Sequence, residues 1–183
     1  GLSGGIATGK STVTKILQEQ QFPVIDADLL VKRIYQESLT KEFIRETSPL
    51  AWVDNAIDFK ILKEQFFSNS LLKEKIETFI YQRLPLVFKE EYQKLNSPSF
   101  IIYDTPLLFE KNLQKKVDST VLVYAPRSVQ IERLIKRDEI SQELAEKILK
   151  QQIDIEEKKL KADYVLSNEG SVKELELKVR ELI

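Results

Sequence analysis

The sequence predicts a three-layer α/β fold, in which helices cover both faces of a mostly parallel five-stranded sheet. Three observations predict it. Continuous apolar runs such as Phe100–Tyr103 and Val121–Val123 have the character of strands buried on both faces. These runs alternate with longer stretches whose apolar residues recur at helical spacing. A glycine-rich turn, Gly4 to Gly9, joins the first strand to the first helix.

Taken in order, Gly1-Leu2-Ser3 is the end of the first strand, and Val13, Ile16 and Leu17 mark the helix after the turn. Pro23-Val24-Ile25 is a short buried strand ending at Asp26-Ala27-Asp28, and Leu29 to Gln36 is helical again. From about 38 to 96 there is no strong strand signal. Lys, Glu, Leu and Phe predominate there and predict several helices, with a break at Phe66 to Ser70. Ser99 to Tyr103, closed by Asp104, is the third strand, and Val117 to Tyr124 the fourth. Ile131, Leu134 and Ile135 mark a helix, and Leu144 with Ile148 another. Tyr164-Val165-Leu166 is the last strand. The final helix starts at Ser171, with Glu174 at capping-box spacing and an apolar face of Val172, Leu175, Val179 and Leu182.

Composition bounds the chemistry. A chain of 183 residues, 42% hydrophobic and 31% charged, is large enough for one globular unit with a continuous core. Net charge is −1, from 28 basic and 29 acidic residues, so no basic excess attracts nucleic acid or an anionic membrane surface. Cysteine is absent, which excludes disulfides and thiolate metal sites and fits a reducing, cytoplasmic setting. Histidine is absent too, which leaves carboxylates for acid–base work. No apolar run approaches the roughly 20 residues that span a bilayer, and no signal peptide is visible. The chain has no methionine and opens at Gly1 on a strand–loop junction, so a native start upstream is expected.

Gly4-Gly5-Ile6-Ala7-Thr8-Gly9-Lys10-Ser11 matches G-x-x-x-x-G-K-[ST], the phosphate loop. Its glycines let the backbone curl so that N–H groups converge on phosphate oxygens, and the following helix adds a partial positive charge. In this pattern Lys10 bridges the β- and γ-phosphates of ATP, and the Ser11 hydroxyl is a ligand for Mg²⁺. Asp104, at the end of a buried strand, is the second candidate for Mg²⁺ or its waters; the plain alternative is a turn aspartate leading into Pro106. Asp26 and Asp28 follow the second strand. One reading has Asp28 capping the helix from Leu29, the other has it facing an acceptor hydroxyl, and both can hold at once.

These residues carry a family likeness. The chain resembles the dephospho-coenzyme A kinases, which are P-loop kinases. Gly1 to Thr12 is similar to that family's phosphate loop, and Val24-Ile25-Asp26-Ala27-Asp28 to its second-strand signature. Asp104-Thr105-Pro106-Leu107-Leu108-Phe109-Glu110 is similar to its third-strand block, and Gln130 through Asp138 to the start of its lid. Gln152, Glu156-Glu157-Lys158, Ala162-Asp163-Tyr164-Val165 and Asn168-Glu169-Gly170-Ser171 fit its C-terminal pattern. The likeness is weakest over 36–96. There the family often has His-Pro, and this chain reads Ile80-Tyr81-Gln82-Arg83-Leu84-Pro85. Ala7 stands where the family usually has glycine, and Lys32 where it often has arginine or histidine.

The resemblance implies a P-loop kinase architecture. A core of about 1–35, 97–126 and 161–183 would carry a helical substrate subdomain at about 36–96 and a lid at about 127–160. It implies transfer of phosphate from ATP to the ribose 3′-hydroxyl of 3′-dephospho-coenzyme A. Gly4 to Thr12 would hold ATP·Mg²⁺, and Asn168 and Gly170 would lie near its adenine. Asp28 would accept the hydroxyl proton, while Arg137 and Lys10 neutralise the migrating charge. The partner is thus a small molecule, acted on by a monomer or small homo-oligomer without nucleic acid or membrane. One alternative is a P-loop kinase for a nucleoside or nucleotide, against which the Asp-Ala-Asp block argues. Another is a regulatory NTPase switch, which would call for an Asn-Lys-x-Asp segment that the sequence lacks. A third is a non-catalytic nucleotide-binding module, which intact Lys10, Ser11, Asp28 and Asp104 oppose.

Overall fold

The structure is a computed structural model and describes residues 1–182. The chain runs through β1 (Leu2–Gly4), α1 (Lys10–Glu19), β2 (Val24–Asp26), α2 (Ala27–Gln36) and α3 (Ser38–Thr47). A small hairpin follows, β3 (Trp52–Val53) and β4 (Ala56–Ile57), and then α4 (Phe59–Ser68) and α5 (Ser70–Gln93). The remainder is β5 (Ile102–Asp104), β6 (Val121–Tyr124), α6 (Arg127–Asp138), α7 (Gln142–Leu149), α8 (Ile155–Lys161), β7 (Tyr164–Ser167) and α9 (Val172–Leu182).

Five strands form one sheet in the order β2-β5-β1-β6-β7. β1 pairs parallel with β5 and with β6, and β6 pairs parallel with β7. The phosphate loop therefore leaves the central strand, where the strand order reverses, and such switch points are where open α/β sheets bind ligands.

The alternation along β6 builds the layers. Val121 and Val123 face a core made with Leu2, Leu166, Val13, Ile16 and Leu17 of α1, and Leu175 and Val179 of α9. Leu122 and Tyr124 face the opposite way, onto Leu108, Phe109 and Ile155 of α8. Successive strand residues point to opposite faces, so a continuous apolar run marks a strand covered on both sides.

Contacts divide the chain into two compact units, Gly1–Val24 with the chain from Ser99 onward, and Ile25–Pro98. In the second unit, Ile34, Ile44 and Ile76 are fully buried. Phe43 stacks on Phe79 with ring centres 4.1 Å apart, and Tyr35 meets Phe59 edge-on at 5.4 Å. Arg33 of α2 is ion-paired with both Glu90 and Glu91 of α5. Arg83 of α5 pairs with Glu37 at 2.8 Å. Pro85 lies inside α5, where it removes one helical N–H donor.

Several local expectations need correction. The strands at 99–103 and 117–124 shorten to β5 and β6, and Phe100 is half exposed. The edge position of β7 leaves Tyr164 and Val165 open to solvent. On α9, Leu175 and Val179 are buried, whereas Val172 and Leu182 are not. The β3–β4 hairpin is an addition. Its two-residue turn, Asp54-Asn55, takes positive φ at both positions (49° and 61°), which Asp and Asn tolerate. The break near 66–70 is there: α4 ends at Ser68, and the Asn69 side chain caps α5 through the Leu72 N–H.

Candidate active site

The loop from Gly5 to Gly9 starts at the end of β1 and runs into α1. Gly9 has φ 92°, and a Cβ there would lie 2.2 Å from the Asn168 side-chain nitrogen, so the position accepts only glycine. Ala7 is also left-handed, with φ 60°, at a backbone cost that glycine would not carry. The loop carbonyls are held from outside the loop. Lys158 Nζ donates to the Gly4 carbonyl at 3.3 Å, and Asn168 Nδ2 to the Thr8 carbonyl at 2.8 Å. The Thr8 hydroxyl donates to the Gly5 carbonyl at 2.9 Å, and the Ile6 N–H donates to Gln152 Oε1 at 3.1 Å.

α1 begins without a side-chain cap. Its first intrahelical bonds run from the Thr12 and Val13 N–H groups to the Gly9 carbonyl. The Lys10 and Ser11 amides precede those bonds. They are orphan donors at the positive end of the helix, the chemistry that receives phosphate.

Asp104, at the end of β5, lies beneath this loop and is 1% exposed. Its Oδ1 is 2.6 Å from Lys10 Nζ, and its Oδ2 accepts from the Thr14 hydroxyl at 2.6 Å. Of the predicted residues, Lys10 is paired with Asp104 on the neighbouring strand, and Ser11 follows Lys10 at the start of α1. Their donors are a hydroxyl and a carboxylate, oxygen ligands that suit a hard cation such as Mg²⁺. Among the described residues no group of three or more His, Cys, Asp or Glu is arranged to hold a metal by itself. The Ser11 hydroxyl and the Asp104 carboxylate fit the cation that the phosphate-loop pattern implies.

The other predicted residues are placed as follows. Asp26, not Asp28, is the cap of the second helix. Its Oδ1 accepts from the Asp28 N–H at 2.8 Å and the Leu29 N–H at 3.2 Å, so α2 starts at Ala27. Asp28 is exposed in the first turn, where the helix dipole favours a carboxylate. Arg137 lies in the last turn of α6 at the surface, with its guanidinium on the neighbouring Asp138 at 2.7 and 2.9 Å. The Arg137 hydrogen bond holds the Asp138 carboxyl below the usual range. Asn168 is buried against the loop, as described. Gly170 precedes the reciprocal Ser171–Glu174 capping box, both of whose hydrogen bonds are 3.3 Å long.

Sequence reasoning assigned no role to Thr14, Gln130, Gln152 or Lys158. Gln130 is buried and donates to the Ala125 carbonyl at 2.9 Å. Lys158 is fully buried at 0% exposure. One available signal was its phase, since Lys158 falls three residues after Ile155 on the inward face of α8. Next to it, the Tyr124 hydroxyl donates to Glu156 at 2.5 Å, and Lys159 sits 4.4 Å over the Tyr124 ring. The Glu156 hydrogen bond, with burial, pushes the Tyr124 phenol up to about 12.

The family model described as dephospho-CoA kinase matches residues 1–174. A Fusobacterium nucleatum protein named dephospho-CoA kinase is 41% identical over 181 residues, covering 98% of this chain and 93% of its own length. A Wolinella succinogenes protein of the same name is 39% identical, covering 100% of this chain and 91% of its own. Among solved structures, a Thermus thermophilus protein superposes with a TM-score of 0.87 at 30% identity, covering 99% of this chain and 93% of that one. A Campylobacter jejuni dephospho-CoA kinase superposes with a TM-score of 0.72 at 28% identity, covering 99% and 92%.

Proposed function

The chain belongs to the dephospho-CoA kinase family, and from that premise we propose how its residues carry out ATP-dependent phosphorylation of dephospho-CoA, the last step of CoA biosynthesis. The acceptor is the ribose 3′-hydroxyl. Its oxygen forms a bond to the γ-phosphorus, the bond to the β,γ-bridging oxygen breaks, and ADP leaves.

The observation that supports this most is the junction of loop, lysine and aspartate. Orphan amides at Lys10 and Ser11, the Lys10 ammonium and the buried Asp104 carboxylate converge at the end of the central strand. Phosphoryl transfer asks a protein mainly for positioning and charge neutralisation, and this cluster offers both. Gly4 to Thr12 hold the triphosphate, and Lys10 moves from Asp104 to the β- and γ-phosphates. Ser11 and Asp104 are the residues that would hold Mg²⁺, which when bound neutralises charge on the β- and γ-oxygens.

Asp28 takes the proton of the 3′-hydroxyl. Its place in the first turn of α2, with Asp26 doing the capping, supports this role. Arg137 leaves Asp138 to meet the transferring charge. Asn168 and Gly170 lie near the adenine. The segment 127–160 acts as a lid that excludes water from the reaction, and the helices of 36–96 take up dephospho-CoA. No helix among the described residues is long and apolar enough to cross a membrane. We place the enzyme in the cytoplasm, acting on small molecules as a monomer or small homo-oligomer.

The test is product identity. Incubation with Mg·ATP and 3′-dephospho-CoA, followed by mass analysis, is expected to give CoA, heavier by one phosphate on the ribose. Unchanged dephospho-CoA would overturn the assignment.

A further inference from the structure

α8 carries three lysines in a short helix, and they differ sharply. Lys159 and Lys161 sit at the surface beside Glu156 and Glu157. Lys158 is wholly enclosed, the largest fully buried side chain among the described residues. Its ammonium lies 2.6 Å from Glu110 Oε1 and 3.3 Å from the Gly4 carbonyl. Glu110 is the close charge partner of this ammonium, and both of its carboxylate oxygens are buried. The ammonium is thus ion-paired with Glu110 and also donates to the Gly4 carbonyl.

Stability does not explain such a pair. A buried ion pair is commonly matched or bettered by apolar residues of similar volume. What an apolar residue cannot do is hold a carbonyl. The Gly4 carbonyl and the Gly5 N–H belong to one planar peptide and point in opposite directions. Fixing the first fixes the second, at the point where β1 becomes the phosphate loop.

We propose that Lys158 is a positioning residue for ATP: charge-balanced by Glu110, it holds the Gly4 carbonyl outward and so sets the direction in which the phosphate loop presents its amides. The assignment rests on the phosphate-loop reading above and adds to it a tie from α8 to the loop.

The test is the double variant Lys158→Met/Glu110→Gln, which removes both charges at nearly constant volume. Wild-type thermal stability, with a Kd for Mg·ATP weakened by about tenfold or more, is the expected result, on the scale of a lost charged hydrogen bond. KM for dephospho-CoA is expected to stay unchanged. A stable double variant with wild-type ATP affinity would overturn the proposal. If the double variant does not fold, Lys158→Cys provides the second measurement, since the chain has no other cysteine. Labelled in denaturant and refolded, it can carry an aminoethyl group, which rebuilds a lysine-like ammonium, or a neutral propyl group. Recovery of ATP affinity by the aminoethyl form alone, with the propyl form folded, supports the proposal. Equal recovery by both forms overturns it, and so does a failure of every neutral form to fold, because the pair would then be a requirement of folding. Wild-type protein that binds ATP but shows no response to dephospho-CoA would count against the acceptor assignment and leave this test intact.

Discussion

Lys10 Nζ lies 2.6 Å from Asp104 Oδ1, a cation from the first turn of α1 paired with a carboxylate that is all but inaccessible to solvent. The second carboxylate oxygen is taken by Thr14. In the proposed reaction phosphate oxygens compete with Asp104 for the same ammonium, and the pair keeps Lys10 within reach of the loop. Lys10→Ala is expected to lower kcat by on the order of 10²–10³, the scale of a lost charge-stabilising group. It should also lower the melting temperature, because Asp104 is left buried without its counterion. Steady-state kinetics with a thermal melt check both, and near-normal turnover would remove Lys10 from the reaction.

The loop backbone makes opposite predictions at two neighbouring sites. Ala7 holds φ 60° without the freedom of glycine, so Ala7→Gly should stabilise the fold by about 0.5–1 kcal/mol, strain relief outweighing the added chain entropy. Gly9→Ala adds a Cβ 2.2 Å from the Asn168 nitrogen at φ 92°. It should destabilise by more than about 1–2 kcal/mol and weaken ATP binding. Denaturant melts and ATP titration on both variants decide the point.

Asp26 caps α2, and Asp28 is the proposed base. Asp28→Asn is expected to keep ATP affinity and lower kcat by on the order of 10²–10⁴, as for loss of a general base. Asp26→Ala removes the helix cap and is expected to cost about 0.5–2 kcal/mol in stability. Turnover of Asp28→Asn close to that of the wild type would end the proposed base role.

Tyr124 gives an alkaline signature. Its phenol ionises near 12 in the fold rather than near 10, because Glu156 holds its proton and burial disfavours the phenolate. A raised folded value favours the protonated form, so the contribution to stability is complete below pH 10 and is lost as pH rises through 12. Between those limits wild-type protein should lose stability more steeply than Tyr124→Phe. Denaturant melts across that range, with ultraviolet titration of the phenolate, provide the check.

How much of this was legible follows from the range of each signal. The phosphate loop is local: Gly4, Gly9, Lys10 and Ser11 stand within eight positions, and the chemistry fixes their types. The layered core was legible through Leu122 and Val123, because a strand covered on both faces leaves no polar alternation. The cap at α2 lies two residues earlier than the Asp28 reading places it, since Asp26 and Asp28 are chemically alike and only backbone geometry shows which side chain receives the amides. The β3–β4 hairpin was missed because strands of two residues carry no periodicity, and only Asp54-Asn55 marked the turn. Lys158 was hidden for a different reason. A lysine among charged neighbours on a short helix has the pattern of a solvated face, and its burial depends on Glu110 and Gly4, 48 and 154 residues away in sequence. Its spacing from Ile155 hints at the inward face of α8, but the pairing itself, across such separations, is not legible in composition or spacing.

The most direct test of the central claim is ADP release from Mg·ATP with and without 3′-dephospho-CoA, with adenosine and a panel of nucleosides as parallel acceptors. Strong stimulation by dephospho-CoA alone is the predicted result. Stimulation by a nucleoside and not by dephospho-CoA would contradict it, leaving a phosphate-loop kinase with a different acceptor.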